Sequence, residues 1–150
     1  MKTLLIYATN TGSTLEVANY IAQEFSEKNQ EITVKDVRNL TPETLSDYDL
    51  IIFGAPTWGE GELLESFARV LEKFTDEKFP DKKFAVFGLG DSTYTHFCSA
   101  ADHLENFVKK IEGTLIVPTL KIDNFYFNQQ QEIPKISEWA KEILKISSAT

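Results

Sequence analysis

Short apolar runs alternate with amphipathic segments along this 150-residue chain. Three of the runs are continuously apolar after a polar first residue, as expected for strands that are covered on both faces: residues 3–8, 49–54 and 83–89. Residues 32–35 instead alternate apolar and polar side chains, which indicates a strand with one more exposed face, toward an edge of the sheet. A fifth strand is predicted within residues 114–122, where Pro118 should place it near an edge or a bulge.

Between these runs, apolar side chains recur at spacings of three and four residues, the pattern of a helix that buries one face. Four segments have this pattern: residues 15–25, 64–74, 97–111 and 136–143. Thr41-Pro42-Glu43 opens a further short helix, and residues 123–132 are predicted as a loop. The alternation of strand and helix predicts an α/β fold: a doubly wound parallel sheet of five strands, with helices on both faces, in a single domain over residues 1–150.

The turn after the first apolar run has an unusual composition. Its residues carry hydroxyls or an amide, with one glycine among them: Thr9, Asn10, Thr11, Gly12, Ser13 and Thr14. Glycine permits a tight turn, and the first amides of the following helix have no intrahelical partners and carry partial positive charge. The turn therefore predicts a site for one phosphate monoester, built from neutral donors. The alternative is an ordinary helix N-cap, a position that Ser and Thr favour with or without a ligand.

Composition and charge exclude several classes of protein. No stretch approaches the roughly 20 apolar residues of a membrane span, and no signal peptide is recognisable, so we expect a cytoplasmic protein without a membrane partner. The net charge of −8 disfavours nucleic acid and is compatible with docking onto basic protein surfaces, although acidic surfaces also keep proteins in solution. The single cysteine, Cys98, excludes an intrachain disulfide and a multi-cysteine metal site.

Two further loops should lie beside the turn at residues 9–14. In an open α/β sheet, ligands bind beyond the carboxyl ends of the strands, and residues 55–62 and 88–97 leave two such ends. Both loops contain glycine, and each carries a large aromatic residue, Trp58 or Tyr94. A planar ring held between these side chains would bury apolar area on both of its faces. The alternative is that Trp58 packs on its own domain.

Three motifs together resemble those of the flavodoxins, small electron-transfer proteins that carry FMN. The motifs are TNTGST after the first strand, PTWGEGEL after the third and GLGDSTYTHFCSAADHLE after the fourth, and the similarity covers nearly the whole chain. The absence of a long insertion within the last strand resembles the short-chain subgroup. The resemblance implies the strand order 2-1-3-4-5, of which flavodoxin is a standard example, with FMN at the switch point between strands 1 and 3.

The resemblance also implies roles for individual residues. Residues 9–14 match the loop that holds the FMN phosphate, and Trp58 and Tyr94 match the aromatic residues on the two faces of the flavin. Gly59 matches the position whose peptide can turn to hydrogen-bond flavin N5. Glycine suits such a turn because it adopts positive φ with little steric cost.

Other matched positions surround the rest of the cofactor. The backbone amides of Asp91 and Cys98 match those that meet the pyrimidine edge of the flavin, and Thr57 and Leu89 match residues along the ribityl chain and the ring. The same motifs add three more residues to the predicted FMN-binding set: Pro56, Gly90 and Phe97.

The implied function is that of a low-potential one-electron carrier with no catalytic side chain and no metal. The flavin performs the chemistry and the protein tunes it, and the acidic residues Glu60, Glu62 and Asp91 should make a second electron harder to add. The implied partners are an NAD(P)H-dependent flavodoxin reductase and electron-accepting enzymes with basic docking surfaces. The carrier itself is expected to be a monomer.

Two other classes of protein share the topology or the cofactor. A phosphoryl-receiver domain needs an acidic cluster after the first strand and an acceptor aspartate after the third, where this chain has Thr9-Asn10 and Pro56-Thr57. An FMN-dependent NAD(P)H or quinone oxidoreductase would need a site for a hydride donor, and is often a dimer. Reduction by NADPH alone would distinguish this enzyme from a carrier that needs a separate reductase.

Several positions bear on the particular flavodoxin-like protein. The tail, with residues 120–123 and Trp139-Ala140, is also similar to MioC, a bacterial flavodoxin-like protein linked to biotin synthesis. MioC usually carries His-Gly where this chain has Trp58-Gly59, so the tryptophan favours a flavodoxin. His96 stands where flavodoxins frequently have a bulky aromatic residue, and we expect it on a solvated loop. Cys98, at a predicted helix start, is either a stabilised thiolate or, more simply, a packing residue.

Overall fold

A computed structural model describes residues 1–9, 12–58, 62–74, 76–93 and 95–148, apart from the side chains of Trp58, Glu62 and Ser148. Several predicted FMN-binding positions therefore lie outside the described residues: Asn10, Thr11, Gly59, Tyr94 and the side chain of Trp58.

The described residues contain one mixed sheet with α-helices on both of its faces. The strands are β1 (Thr3–Tyr7), β2 (Ile32–Asp36), β3 (Leu50–Trp58), β4 (Glu62–Leu63), β5 (Lys83–Gly90), β6 (Thr114–Leu115) and β7 (Leu120–Asp123). The helices are α1 (Ser13–Glu27), α2 (Pro42–Ser46), α3 (Glu65–Glu72), α4 (Ser99–Lys110) and α5 (Gln129–Ser148). None of the helices within these described ranges is long and apolar enough to cross a membrane.

The strand order confirms the predicted topology. The parallel strands run in the order β2-β1-β3-β5-β6, with β7 also parallel to β5 and the short β4 antiparallel to β3. Strands β6 and β7 pair with successive parts of β5, so together they occupy the place of the single fifth strand that was predicted. Pro118 lies between them, where a residue without an amide donor interrupts the ladder. The order is thus 2-1-3-4-5, and β2 is an edge strand, as its alternating pattern indicated.

Alternating side chains of the strands enter two hydrophobic cores. Leu4 of β1 and Phe53 of β3 belong to the core beneath α3 and α4, whereas Leu5 of β1 belongs to the core beneath α1 and α5. In the first core, the Phe53 and Phe84 rings stack with their centroids 5.7 Å apart. Because both faces of the sheet are covered, its central strands are apolar throughout rather than alternating.

Three helix boundaries differ from the sequence-based expectation. Helix α5 begins at Gln129, so the predicted loop 123–132 is too long at its carboxyl end. Pro134 lies inside this helix near its start, where the missing amide removes a single hydrogen bond of the first turns. Helix α4 begins at Ser99, two residues after Phe97, and α3 ends at Glu72, although Phe74 beyond its end is still buried in the core.

Candidate functional site

The carboxyl ends of β1, β3 and β5 lie side by side at one edge of the sheet, because these strands are parallel neighbours. Tyr7 is opposite Gly54, and Pro56 is opposite Leu89. The Ala8 amide donates to the Gly54 carbonyl at 3.1 Å, which joins the end of β1 to that of β3. The three loops predicted to form the site therefore begin at adjacent points.

The first of these loops ends in a glycine that begins helix α1. Gly12 is the N-cap, with a left-handed φ of 94°, and its amide donates to the Thr9 hydroxyl at 2.8 Å. An L-residue at this φ would be strained, although no atom lies within 4 Å of where its Cβ would be. The N-cap is therefore a glycine rather than a serine or threonine. The helix geometry leaves the amides of Ser13, Thr14 and Leu15 without intrahelical partners.

A buried hydroxyl at the same helix end has no partner among the described residues. Thr14 is 1 % exposed, and its Oγ1 makes no hydrogen bond to any described residue. Leaving such a group unsatisfied costs about 1–3 kcal/mol, so an orphaned donor of this kind is a candidate ligand contact. The chemistry of the end of α1 therefore fits an anion held by neutral donors.

The N-terminus of α4, at the same edge of the sheet, is by contrast satisfied within the protein. The Ala100 amide donates to Thr57 Oγ1 of β3 at 3.2 Å, and the Ser99 amide donates to the His96 carbonyl at 3.3 Å. Thr57, half-buried, thus joins the second loop to the start of α4, which follows the third loop. Neither cap residue offers a side-chain acceptor, but the first amides of α4 are satisfied by Thr57 and His96, which makes the end of α1 the better candidate for an anion site.

The third loop lies directly against the end of β5. A Cβ at Gly90 would lie 2.8 Å from the Cys98 amide nitrogen and 3.0 Å from Cys98 Sγ, so this approach requires a glycine. Leu89 is buried, and Phe97 and Asp91 are half-buried. Asp91 Oδ1 accepts hydrogen bonds from the Thr93 amide at 2.9 Å and the Thr93 hydroxyl at 2.7 Å, so its side chain holds its own loop.

Cys98 is a packing residue. It is fully buried, with its Sγ 3.5 Å from the Gly88 carbonyl and 3.6 Å from the Ile122 carbonyl, to which the thiol can donate. Burial raises the pKa of the thiol from 9.0 to about 12. The alternative of a thiolate stabilised at the helix start is therefore wrong.

We expect Cys98 to react with Ellman's reagent at pH 8 at least about 100-fold more slowly in the folded protein than in urea, because only an accessible thiolate reacts. The absorbance of the released coloured thiol, followed with and without urea, gives the ratio of the two reaction rates. Rapid labelling of folded protein would contradict the buried, protonated thiol.

Sequence reasoning missed the acidic residue that holds the third loop from the neighbouring strand. The carboxylate of Asp123, at the end of β7, accepts hydrogen bonds from the Ser92 amide at 2.8 Å and the Ser92 hydroxyl at 2.6 Å. These bonds hold the pKa of Asp123 below its ordinary value of 3.8. The available signal was its position, since Asp123 directly follows the predicted fifth strand, after Leu120-Lys121-Ile122.

Residues after Asp123 reinforce this attachment. The Asn124 amide donates to the Gly90 carbonyl at 2.7 Å, and Asn128 Nδ2 donates to the Asp123 carbonyl at 3.1 Å. Glu132 is 3 % exposed, and its Oε1 accepts from the Asp123 amide at 3.3 Å. The segment that the sequence assigned to a loop therefore braces the candidate site.

We expect Asp123→Ala to weaken flavin binding several-fold at pH 7, because Ser92 and its loop lose both acceptors. The lowered pKa means that the contribution of Asp123 is present above about pH 4 and is lost as the pH falls through the lower, folded-state pKa. Flavin titrations of the wild type and of Asp123→Ala at pH 7, 5 and 4 measure the ratio of their dissociation constants. This ratio should be constant from pH 7 to 5 and should begin to decrease at pH 4. Equal affinities at pH 7 would contradict the bracing role.

The sheet order, the glycine-capped end of α1 and the two loops beside it are the architecture of a flavodoxin-like mononucleotide-binding protein. The family model described as Flavodoxin matches residues 5–133. The flavodoxin of Maridesulfovibrio salexigens is 37 % identical over 125 residues, which cover 81 % of this chain and 86 % of that protein.

Solved structures agree with the sequence comparison. Oxidised flavodoxin 1 from Bacillus cereus superimposes with a TM-score of 0.89 at 30 % identity, covering 97 % of this chain and 98 % of that one. Flavodoxin from Fusobacterium nucleatum, solved bound to flavin mononucleotide, shares the fold with a TM-score of 0.82 at 24 % identity, covering 96 % and 97 %. This chain belongs to the flavodoxin family. It is an electron-transfer protein rather than an enzyme, with FMN as its cofactor and with redox partners.

Proposed function

We propose that this flavodoxin holds one FMN non-covalently among its three loops and carries electrons singly, at low potential, from an NAD(P)H-dependent flavodoxin reductase to electron-accepting enzymes. The observation that carries the assignment of the phosphate is the end of α1, where three amides lack intrahelical partners beside the orphaned Thr14 hydroxyl. This end offers donors for one phosphate and no lysine or arginine for a second, which suits a mononucleotide.

The residues predicted from the motifs then contact different parts of the cofactor. Residues 9–14 hold the phosphate, Trp58 and Tyr94 cover the flavin faces, and the amides of Asp91 and Cys98 meet the pyrimidine edge. Gly59 offers its peptide to N5. The bridging position of Thr57 and the close approach at Gly90 support placing the ribityl chain and ring between the second and third loops.

FMN supplies the redox chemistry when it is bound, because it accepts electrons one at a time. The protein orients the ring, shields it from water and sets the electrostatic cost of added charge. The Asp123 carboxylate stays ionised near neutral pH and is hydrogen-bonded to the third loop, and Asp91 lies in the same loop. Negative charge beside the cofactor disfavours a further electron, which supports a low potential.

The partner surfaces follow from the charge of the whole chain. A net charge of −8 supports docking onto basic surfaces of the reductase and the acceptors, with rates that fall as ionic strength rises. We further propose that the protein acts in the cytoplasm as a monomer, and that residues 1–150 form a single FMN-binding domain.

The test begins with the absorption spectrum of the purified protein and the mass of its released cofactor. We expect FMN, with an affinity well above that for riboflavin, which has no phosphate. Comparable affinities for the two flavins would overturn the phosphate assignment. Rapid reduction by NADPH without a reductase would identify an FMN-dependent oxidoreductase instead of a carrier.

A further inference from the structure

Two aromatic rings project from the segment that joins β7 to α5. Tyr126 is 72 % exposed and Phe127 is 78 % exposed, and their rings meet edge to face with centroids 5.1 Å apart. The other large hydrophobic side chains exposed in the described part of the chain, Met1 and Tyr20, are far less so, at 41 % and 37 %. Paired aromatic rings this exposed are typical of interaction surfaces, where Tyr and other aromatic residues supply much of the binding energy.

The two rings are mounted on a fixed base. Phe125, the preceding residue, is buried, and its ring meets that of Tyr20 on α1 at a centroid distance of 6.3 Å. The Phe127 amide donates to the Asn124 carbonyl at 3.1 Å, which closes the turn beneath the rings. We call Tyr20, Phe125, Tyr126 and Phe127 the aromatic platform. Because it is ordered in advance, a partner would lose little conformational entropy in binding it.

The aromatic platform is continuous with the flavin site. Asn124, directly before Phe125, donates its amide to the Gly90 carbonyl, and Asp123 holds Ser92 of the third loop. A recess of about 560 Å³, lined by residues 126–131, opens beside the two exposed rings. A protein seated on these rings would therefore lie next to the loop proposed to contact the flavin.

Acidic groups flank the aromatic platform. Residues 124–131 carry no charge, but the ionised Asp123 precedes them, and the exposed Glu16 lies one turn before Tyr20 on the same face of α1. The nearby Lys135 is within 3.6 Å of the Glu132 carboxylate, with which it forms an ion pair. The surface thus combines a neutral aromatic centre with an acidic border, and its complement is an apolar recess with a basic border.

We propose that the aromatic platform is the docking surface for the redox partner that exchanges electrons with the flavin, and that this partner presents an apolar recess bordered by lysine or arginine. This assignment rests on the proposed function, since it requires that the chain exchange electrons with another protein. The rings provide the affinity of the encounter, and Glu16 and Asp123 provide its orientation.

The test compares the wild type with the double variant Tyr126→Ser/Phe127→Ser, using an NADPH-dependent flavodoxin reductase as the probe. We expect the second-order rate constant for reduction by the reductase to fall at least tenfold, and calorimetry to show a dissociation constant for the complex at least tenfold higher. FMN affinity and reduction by dithionite, which needs no docking, should not change, because both side chains are exposed.

Two variants serve as matched controls. Gln130→Ser alters an exposed side chain of the same recess without removing a ring, and Tyr126→Phe keeps the ring, so both should retain the wild-type rate. Equal rate constants for the double variant and the wild type would overturn the proposal, as would the absence of any wild-type complex with the reductase. A wild-type dimer in sedimentation that the double variant cannot form would assign the surface to a second copy of this chain. Wild-type protein without FMN would refute the proposed function, whereas calorimetry needs no flavin and still reports on docking.

Discussion

Replacing Thr14 by valine is expected to stabilise the flavin-free protein and, at the same time, to weaken FMN binding by about 10- to 100-fold. The buried Thr14 hydroxyl has no partner among the described residues, so the similarly shaped valine removes an unsatisfied polar group that costs about 1–3 kcal/mol. A hydrogen bond to a charged phosphate contributes about 1.5–3 kcal/mol, and its loss gives the expected fall in affinity. Urea unfolding of the flavin-free protein and fluorescence titration with FMN measure the two effects.

Thr3 provides a matched control for this experiment. Its Oγ1 is also buried and has no partner in the part of the chain that the structure describes, but Thr3 lies in β1 at the opposite end of the sheet. Thr3→Val should therefore stabilise the flavin-free protein without changing FMN affinity. Riboflavin should bind Thr14→Val as it binds the wild type, because riboflavin has no phosphate. Unchanged FMN affinity in Thr14→Val would show that this hydroxyl does not contact the phosphate.

Gly54→Ala is expected to destabilise the protein by about 3 kcal/mol, at the upper end of the usual cost of overpacking a core. A Cβ at Gly54 would lie 2.0 Å from Cζ of Phe87, the residue opposite it on β5. Phe87 is fully buried and meets Trp139 at a centroid distance of 6.0 Å, so its ring has little room to move. Urea unfolding measures the loss of free energy of unfolding. FMN affinity should also fall, because Gly54 adjoins the ends of β1 and β3.

A double-mutant cycle separates this clash from other effects of alanine. Phe87→Leu shortens the side chain and should recover part of the stability of Gly54→Ala, with a coupling energy of about 1–3 kcal/mol. Gly12→Ala is the contrasting control, because its Cβ would enter open space and only its φ of 94° is unfavourable. If the destabilisations of Gly54→Ala and Phe87→Leu were additive in the double variant, the clash with Phe87 would not be the cause of the instability of Gly54→Ala.

The pattern of apolar and polar residues was sufficient to predict the buried central strands and the more exposed strand at residues 32–35. It was also sufficient to predict that three loops leave the same end of the sheet, because these features depend on spacing along the chain. The motif at residues 9–14 likewise predicted a turn ahead of a helix, and α1 begins at Ser13. Spacing could not separate β6 from β7. It also ended the loop before α5 too late, because the first turns of the helix are the polar residues 129–132, which show no apolar periodicity. Local patterns thus gave the elements but not all of their ends.

The sequence by itself therefore determined the fold class and predicted where the cofactor binds, whereas the tertiary structure decided which polar groups at that edge of the sheet are already satisfied within the protein. At the start of α4, the Ala100 amide is satisfied by Thr57, 43 residues earlier in the chain, whereas the first amides of α1 have no such partner among the described residues. Packing against β5 and β7 made Cys98 a protonated core thiol. The bond between Ser92 and Asp123 spans 31 residues. Such partners are set by which strands become neighbours, and no local pattern in the chain encodes them.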